Sequence, residues 1–574
     1  MVVGGGHNGL VAACYLAKAG RSVVVLEKAE QVGGACVTRE YTPGFRFSAC
    51  AFLFGLFRPQ ILRDLELHRF GYEAYSVNPT GTGIFDDGST LLLWQEVDRT
   101  LAEIRKFDAA DAESFLEFGL KLQRFANIME PWLLKPPPTG EQLARTFREA
   151  AAESLYDEFV PLSVEDLLAR HFHSPKLRGF FTFLSMVSIH AGPSHPGTAY
   201  QLAHHAWGEF EGSFGAYGFV RGGIGGVTDA LAACARHYGA EIRTAAPVDR
   251  LRVSNGAVDG VVLAGGDEVD ARVVLSNVDP RTTLLELLSP ADVPAEARTM
   301  AECFDVRGSM ARIHLATDSL PMYTAFGSRG VGPEHQGHQL LGADTRRFEL
   351  AWRAQSEGRL PDEFVIELVT QSAHDPSVAP PGKHTLALGI QNLPFELEGG
   401  WDARREEFAD RVIAQLAEYA PNIPDAIIDR HVITPLDLER EWSLPGGNIF
   451  QGAQSLTQIF SHRPFPGWSR YRMPVRNLYL CGAGAHPGGG VTGAPGHNAA
   501  QAVLSDFVAP AQDHETWVRR ATAAAAGDEI AAGAAALSLQ ERMWRQPALR
   551  KLATRAAGQR WTRPLVQRMR RTGR

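Results

Sequence analysis

The chain opens with the stretch VVGGGHNG at residues 2–9, a short apolar run followed by a G-x-G-x-x-G pattern. The spacing predicts a helix over 10–19 and a buried strand over 22–26 that ends at Glu27. In such a unit the glycines allow a tight turn, a close backbone approach to a pyrophosphate and helix–strand packing. Glu27 lies 18 residues past Gly9, where a carboxylate can accept hydrogen bonds from ribose hydroxyls. The stretch predicts a dinucleotide site, and the alternative is a purely structural glycine turn.

The first strand is unusually short. Only three residues precede the first glycine, whereas a typical strand has about five or six. This predicts that the natural chain extends upstream of Met1. Neither a basic nor a long apolar leader precedes the glycines, so no signal peptide is visible.

A second glycine-rich element lies near the other end of the chain. The apolar run LYLCGAG at residues 478–484 is followed by HPGGGV at 486–491 and a predicted helix over 494–504. FAD is long, so its ADP end and its flavin end need separate supports. A loop at a helix N-terminus can place N–H groups where the reduced flavin gathers negative charge. NAD needs no such distant site, so the pair of elements favours FAD.

These motifs together resemble the phytoene desaturase-type branch of the FAD-dependent amine oxidase superfamily. The resemblance also includes Gly33-Gly34, GGIGG at 222–226, APV at 246–248 and S-N-x-D-P at 276–280. It covers residues 1–508 and does not reach the tail. Within the branch the chain most resembles desaturase-type β-carotene ketolases and the pyridine nucleotide-disulfide oxidoreductase domain-containing protein 2 group. The resemblance to the latter group includes GNIFQG at 447–452 and DLEL at 64–67.

The resemblance implies FAD and a set of cofactor-binding residues. These are Gly4, Gly6, Asn8, Gly9, Glu27, Lys28, Gly33, Gly34, Ala35, Val248, Gly482, Ala483, Gly490 and Val491. The first four would line the pyrophosphate, and Glu27 would hold the ribose. The glycine pair would abut the cofactor, and Val248 would meet the adenine through its backbone. Gly482 with Ala483 would hold the ribityl phosphate, and the last two residues would sit at the flavin ring.

The chain departs from the family pattern at two positions. Many phytoene desaturases follow the glycine pair with Arg, whereas this chain has Ala35, which removes a cation and weakens the phytoene assignment. Gln451 stands where the relatives are expected to have His, so no proton-transfer role carries over to it. No Cys pair accompanies the flavin motifs and no second nucleotide motif is visible. Oxygen or a quinone is therefore the expected electron acceptor.

The coarse pattern along the chain predicts an α/β fold with interleaved parts. We expect a discontinuous Rossmann-like FAD-binding domain built from 1–77, 221–290 and 441–507, where strand and helix patterns alternate. An inserted α+β substrate domain would comprise 78–220 and 291–440, where prolines separate helical segments. Residues 508–574 would form a tail, Ala-rich and then basic, cut into short helices by Pro547, Gly558 and Pro564.

Composition limits the environment and the partners. The 574 residues carry a net charge of −8, but 541–574 alone carry +10, which leaves −18 for the first 540. An acidic body makes nucleic-acid binding unlikely. The six cysteines, none of them arranged as CxxC, suit a reducing, cytoplasmic compartment. The longest apolar stretch, 180–189, is half of the roughly 20 residues that a spanning helix needs. The tail at 541–574 suits either docking on an anionic membrane surface or a solvated charged segment.

Four histidines, His190, His195, His204 and His205, lie close together in the sequence. Their spacing fits no common metal-ligand pattern, so we predict no metal site and expect packing or pocket lining. His204 and His205 are the candidate catalytic residues, since either one could face the flavin and move a proton.

The sequence therefore predicts an FAD-dependent oxidoreductase. We expect it to transfer a hydride to flavin N5 from a long apolar small-molecule substrate of carotenoid or isoprenoid type. The dense run AFLFGLF at 51–57 suits either a core or a channel for that substrate. One alternative is a flavin amine oxidase, which would need a polar head-group site. The other is a flavin-binding regulatory protein with little turnover. The sequence predicts no oligomeric state.

Overall fold

The computed structural model describes residues 1–327 and 329–508, and its first sheet contains five parallel strands. In spatial order they are Glu241–Arg243, Val24–Leu26, Val2–Val3, Val274–Ser276 and Leu478–Leu480. Parallel strands present their carboxyl ends at one edge of a sheet, where α/β proteins bind ligands. The glycine turn after Val3 and the loop after Leu480 therefore meet at the same edge, although they are more than 470 residues apart in the chain.

Three helices pack on this sheet, namely His7–Lys18, Gly225–His237 and Ala494–Val508. The first begins at residue 7 and not at the predicted residue 10, because its glycine-containing first turn is held by tertiary packing that outweighs the low helix propensity of glycine. The strand expected over 22–26 is likewise shorter, Val24–Leu26. The strands Val248–Ser254 and Ala257–Leu263 form a hairpin, with Asn255 and Gly256 in its turn.

The second sheet has seven strands and lies in the regions between the parallel strands. In spatial order they are Ile427–Ile433, Ser309–Thr317, His384–Leu393, Ile366–Val369, His338–Leu341, Gly81–Ile84 and Thr90–Leu93. All neighbours are antiparallel except His338–Leu341 with Gly81–Ile84. The helix Trp401–Tyr419 covers one face of this sheet and buries Ile313 and Leu315. Side chains alternate along a strand, so Arg312 and His314 lie on the opposite face.

A layer of helices with an aromatic-rich core stands beside the second sheet. These are Val97–Arg105, Ala109–Met129, Gly140–Glu149, Glu153–Phe159, Val164–His171, Pro175–Met186 and Thr198–Ala206. Side-chain caps define several of their starts. Ser163 Oγ accepts from the N–H of Asp166 at 3.0 Å, at the position where the sequence predicts a cap. The last of these helices, Thr198–Ala206, carries both candidate histidines.

The remaining elements connect these layers. The short strands are Thr38–Thr42, Phe45–Ser48, Ala74–Tyr75, Glu209–Phe210, Ser213–Phe214, Phe219–Val220 and Glu268–Asp270. The remaining α-helices are Pro59–Asp64, Pro280–Leu285, Ala295–Glu302, Thr345–Ser356, Ile423–Ala426 and Pro435–Trp442. The predicted α/β class with a Rossmann-like parallel sheet is confirmed.

The predicted tail comprises residues 508–574, and all of it beyond residue 508 lies outside the described residues, including the stretch 541–574 for which membrane docking was considered. In the part of the chain that the structure describes, no helix combines the length and the hydropathy needed to cross a membrane.

Candidate functional site

The glycine turn at the N-terminus leaves no room for side chains. A Cβ built on Gly9 would lie 2.3 Å from the carbonyl oxygen of Gly4, which is closer than any real contact. A Cβ on Gly6 would lie 2.8 Å from Asn277 Nδ2. Because backbone surrounds this turn closely, its N–H groups and the start of the helix His7–Lys18 form the kind of cradle that binds a pyrophosphate.

Glu27 is buried beside this turn, where the sequence predicts it. Its Oε2 accepts from the N–H of Gly5 at 2.6 Å, and its Oε1 accepts from the N–H of Ala29 at 2.9 Å. The carbonyl oxygen of Glu27 accepts from the N–H of Ala246 at 2.8 Å, which brings Val248 to the same strand end. The structure therefore brings together the residues predicted for the ribose and the adenine.

The glycine pair also lies on the turn. The N–H of Gly33 donates to the carbonyl of Gly5 at 2.9 Å, and a Cβ on Gly34 would lie 3.3 Å from the Cα of Gly6. Ala35, in contrast, packs against an apolar cluster that includes Cys50 and Trp442.

Lys28 is not brought to the turn. Its Nζ donates to Ser443 Oγ at 2.6 Å, at the C-terminal end of the helix Pro435–Trp442. A helix C-terminus favours a cation, so this contact accounts for the position of Lys28 without a ligand.

Asn277 connects the two ends of the site, and it belongs to the S-N-x-D-P motif, for which the sequence predicts no individual roles. Its side chain packs against Gly6 and Gly9, and its carbonyl oxygen would lie 2.6 Å from a Cβ on Gly482. That carbonyl also accepts from Gln451 Nε2 at 2.9 Å, while Gln451 Oε1 accepts from the N–H of Gly484 at 3.1 Å. Gln451, at the position where His was expected, therefore ties the loop after the last strand to the centre of the sheet.

The loop at 486–493, which we call the flavin loop, precedes the helix Ala494–Val508. Within it Val491 has φ of 56°, a left-handed conformation that a β-branched residue rarely adopts. Strain of this kind is retained where the surrounding structure imposes it, and it concentrates at ligand sites. A Cβ on Gly490 would lie 2.7 Å from Leu56 Cδ1 and 3.7 Å from His204 Nε2. The loop is thus packed between the 51–57 run and the helix Thr198–Ala206.

His204 faces the flavin loop directly. Its Nε2 lies 3.2 Å from the carbonyl oxygen of Gly489, which can only accept, so Nε2 carries the proton. Burial lowers the pKa of His204 to about 3, so the ring is neutral at physiological pH. The aromatic rings of Trp207 and Tyr200 lie 5.1 and 6.2 Å from it. The ring of His205 lies 5.7 Å from that of Phe450, and its Nδ1 hydrogen-bonds the carbonyl of Gln201 at 2.9 Å.

Buried polar atoms without hydrogen-bond partners test whether FAD fits. Two of them, His7 Nε2 and Asn8 Oδ1, lie at the N-terminal turn. Others surround the flavin loop, namely Gln201 Oε1, His204 Nδ1, His486 Nδ1 and both amide atoms of Gln454. Buried polar groups in proteins are normally paired, and FAD carries donors and acceptors at both of its ends. The residues present therefore fit FAD.

The other two histidines of the sequence cluster, His190 and His195, are not part of this arrangement. The ring of His195 packs on Trp352 at 4.2 Å, and its Nδ1 accepts from the N–H of Gly192 at 3.1 Å.

Among the described residues, one group has metal-ligand spacing, and it comprises Asp108, Asp111 and His173. Both carboxylates accept hydrogen bonds from backbone N–H groups at helix starts, which explains their arrangement without a metal.

Comparison with known proteins adds a family and several relatives. The model of the family "Flavin containing amine oxidoreductase" matches residues 9–504. Pyridine nucleotide-disulfide oxidoreductase domain-containing protein 2 of Rattus norvegicus is 37% identical over 543 residues, which cover 88% of this chain and 93% of the relative. A limonene dehydrogenase subunit of Castellaniella defragrans is 27% identical over 538 residues, with 88% and 94% covered. A solved triple variant of putrescine oxidase has the same fold, with a TM-score of 0.60, 16% identity and 88% and 98% coverage.

Proposed function

This chain belongs to the flavin-containing amine oxidoreductase family, and we propose that it removes hydride equivalents from an apolar, isoprenoid-like substrate. It is an oxidoreductase, and its cofactor is FAD. We also propose the domain division predicted from the sequence, because every strand of the parallel sheet falls within 1–77, 221–290 or 441–507. Every strand of the seven-stranded sheet falls within 78–220 or 291–440.

The observation that supports an apolar substrate is the environment of His204. Leu56 packs on the flavin loop, and the rings of Trp207 and Tyr200 surround the imidazole on other sides. Phe450 also packs on the loop, since a Cβ on Gly489 would lie 2.2 Å from its ring. Sites lined mostly by apolar and aromatic side chains bind apolar ligands, and the name of the limonene dehydrogenase relative is in line with this class.

Electrostatics weigh against an amine substrate. A buried ammonium group is costly without a carboxylate that is free to pair with it. Glu367 is a buried carboxylate that interacts electrostatically with His205. It already contacts Arg312 at 2.9 Å and His338 at 3.0 Å. The guanidinium of Arg463 is buried beside the flavin loop and would repel a second cation. These charges support the isoprenoid proposal over the amine oxidase alternative.

FAD, when bound, supplies the hydride acceptor, and the chain supplies binding, orientation and electrostatics. We propose that the turn at 4–9 and Glu27 hold the ADP end and that the flavin loop holds the ring. A pKa of about 3 makes His204 a weak base, so we assign it the positioning of the Gly489 carbonyl and not the storage of a proton. The apolar side chains around His204 exclude water from the site.

The test is anaerobic mixing of the FAD-loaded protein with limonene, with phytoene and with putrescine. We expect the isoprenoids to bleach the flavin absorbance and putrescine to leave it unchanged. Bleaching by putrescine alone would establish the amine oxidase alternative instead. No bleaching by any of the three would favour the flavin-binding regulatory protein.

A matched pair of histidine variants tests the site itself. His204→Leu removes the hydrogen bond to Gly489, and we expect flavin reduction to slow by about 100-fold while FAD stays bound, as befits a lost positioning contact. His195→Leu changes a histidine that packs on Trp352, and we expect the wild-type rate. In His204→Gln, whose amide can still donate to Gly489, most of the rate should return. Equal rates in His204→Leu and the wild type would remove His204 from the site.

A further inference from the structure

Arg463 is a fully buried arginine behind the flavin loop, and no sequence motif pointed to it. Its side chain is 0% exposed. All of its hydrogen bonds go to backbone carbonyl oxygens. Nε and Nη2 donate to Ala483 at 2.9 and 2.7 Å, and Nη2 also donates to Phe450 at 2.7 Å. Weaker bonds of 3.2–3.4 Å reach Gly452, Ala453 and Gln458.

The charge of this guanidinium is not balanced. Among the residues that the structure describes, no carboxylate forms an ion pair with Arg463, whereas the buried Arg312 is paired with Glu367. A buried cation without a counter-charge is costly, so such groups are normally paired. Burial lowers the pKa of Arg463 to about 9, which still leaves it protonated at pH 7.

The neighbouring titratable groups add no opposing charge at pH 7. Burial lowers the pKa of His204 to about 3 and that of His486 to about 4, so both rings are neutral. Burial also lowers the pKa of His205, and it raises the pKa of Tyr200 well above neutrality, so its phenol stays protonated. Arg463 therefore gives this end of the site a single net positive charge.

The position of the charge matches the proposed flavin end. Ala483, which accepts two of its hydrogen bonds, is predicted to hold the ribityl phosphate, the part of FAD that leads to the flavin ring. A Cβ built on Gly488, within the flavin loop, would lie 3.7 Å from Arg463 Nε. Transfer of a hydride brings one proton and two electrons to FAD and leaves one negative charge on the ring unless a second proton follows.

We propose that Arg463 is the buried counter-charge for the negative charge that the flavin gains on reduction, and that it thereby raises the reduction potential of the bound FAD. The proposal rests on the proposed placement of the flavin at this loop. Fixed charges in a water-excluded site act more strongly than in water, because little solvent screens them. The cost of burying Arg463 in the oxidised protein is then recovered when the ring becomes anionic.

The decisive measurement is the midpoint potential of the bound flavin, determined with redox dyes and without substrate. Arg463→Gln should shift the reduction equilibrium at least tenfold toward oxidised FAD, which for a two-electron couple is about 30 mV. Arg463→Lys keeps the charge with fewer hydrogen bonds, so the flavin potential in this variant should stay closer to the wild-type value than in Arg463→Gln. If the midpoint potential of Arg463→Lys falls as far as that of Arg463→Gln, the proposal is overturned.

A second variant avoids dependence on the Arg463 hydrogen bonds. A Cβ on Gly488 would lie 2.6 Å from Gln454 Nε2, and both amide atoms of Gln454 lack partners. Gln454→Glu is isosteric and places a negative charge beside Arg463 while its bonds to the carbonyls remain. We expect the potential to fall here too, because the carboxylate offsets the charge of Arg463 next to the ring, and an unchanged potential would contradict the proposal. The control is Arg405→Gln, which removes the partly buried pair with Asp437 and should leave the potential unchanged.

The outcomes separate this proposal from the proposed function. If Arg463→Gln does not fold, the Gln454→Glu result decides. If Gln454→Glu binds FAD and keeps the wild-type potential, the counter-charge role is wrong. Because the dye measurement uses no substrate, a lowered potential supports the role of Arg463 even if limonene and phytoene fail to bleach the flavin.

Discussion

The two ends of the cofactor site are built in different ways. The N-terminal turn is contiguous, since residues 4–9 and Glu27 come from one βαβ-like unit, in which the N–H of Gly5 donates to the carboxylate of Glu27. The flavin loop depends on segments near residues 56, 204, 277, 451 and 463, which are distant in the chain. The first end carries buried glycines and one carboxylate, whereas the second carries neutral histidines and one buried cation.

This difference suits the role that we propose for each end. A diphosphate needs close N–H groups and a helix N-terminus, which a short glycine-rich stretch provides by itself. A redox-active ring needs controlled polarity on several sides, which one stretch of chain cannot provide. The ends are joined by direct helix packing, because a Cβ on Gly496 would lie 2.0 Å from the carbonyl oxygen of Asn8.

The largest expected effect comes from a substitution that disrupts the contiguous N-terminal turn. Gly9→Ala places a methyl group where the carbonyl of Gly4 lies at 2.3 Å, and backbone cannot move aside cheaply. We expect at least a thousandfold loss of FAD affinity, measured by flavin fluorescence on titration of the apoprotein. Gly20→Ala is the control at an open helix end, although its positive φ adds a small destabilisation of its own. Wild-type affinity in Gly9→Ala would show that the turn does not bind the cofactor.

The next effect tests the junction between the two ends. Gly496→Ala pushes the helix Ala494–Val508 away from Asn8, and overpacking of this kind costs about 3 kcal/mol. We expect a lower free energy of unfolding in urea and weaker FAD binding at both ends together. Ala500→Gly, a cavity-forming change at a buried position of the same helix, is the comparison. An unchanged urea midpoint in Gly496→Ala would mean that the two helices separate without cost.

Acid should weaken the flavin end through its buried histidines. Burial lowers the pKa of His486 from 6.5 to about 4, so the unfolded chain binds more protons than the folded one between these values. Its contribution to stability is complete above pH 6.5 and is lost as the pH falls toward 4, at up to about 1.4 kcal/mol per pH unit. In His486→Gln the amide can still donate to Trp132 but does not titrate. Between pH 6.5 and 5 the free energy of unfolding of this variant should therefore fall by about 2 kcal/mol less than that of the wild type.

The measurement for this prediction is urea unfolding at pH 7, 6 and 5. Parallel curves for His486→Gln and the wild type would contradict the assignment of the acid sensitivity to this residue.

The smallest expected effect comes from removing a charge at the contiguous N-terminal turn. Glu27→Gln keeps the acceptor but removes the charge that the N–H groups of Gly5 and Ala29 bind. Hydrogen bonds to charged groups contribute about 1.5–3 kcal/mol, so we expect about a tenfold loss of FAD affinity. Glu30→Gln, three residues on, serves as the control. No change in FAD affinity for Glu27→Gln would indicate that its carboxylate only supports the turn.

Short-range spacing in the sequence was enough to predict the parallel sheet, the glycine turn and the presence of FAD. These features depend on local spacing, because a strand, a glycine turn and a helix follow each other within about 30 residues. It also predicted that the second glycine-rich stretch serves the same ligand, because the length of FAD demands a second support.

The tertiary structure alone decided which side chains surround the flavin loop. Asn277, Gln451 and Arg463 act through contacts across 20 to more than 200 residues of chain, and no short pattern records such pairs. Lys28 is the opposite example, because its place in a motif predicted that it binds the cofactor, whereas its ammonium group donates to Ser443. Local periodicity specifies backbone geometry, whereas the charge and polarity of a buried site arise only when distant segments pack together and lose their water.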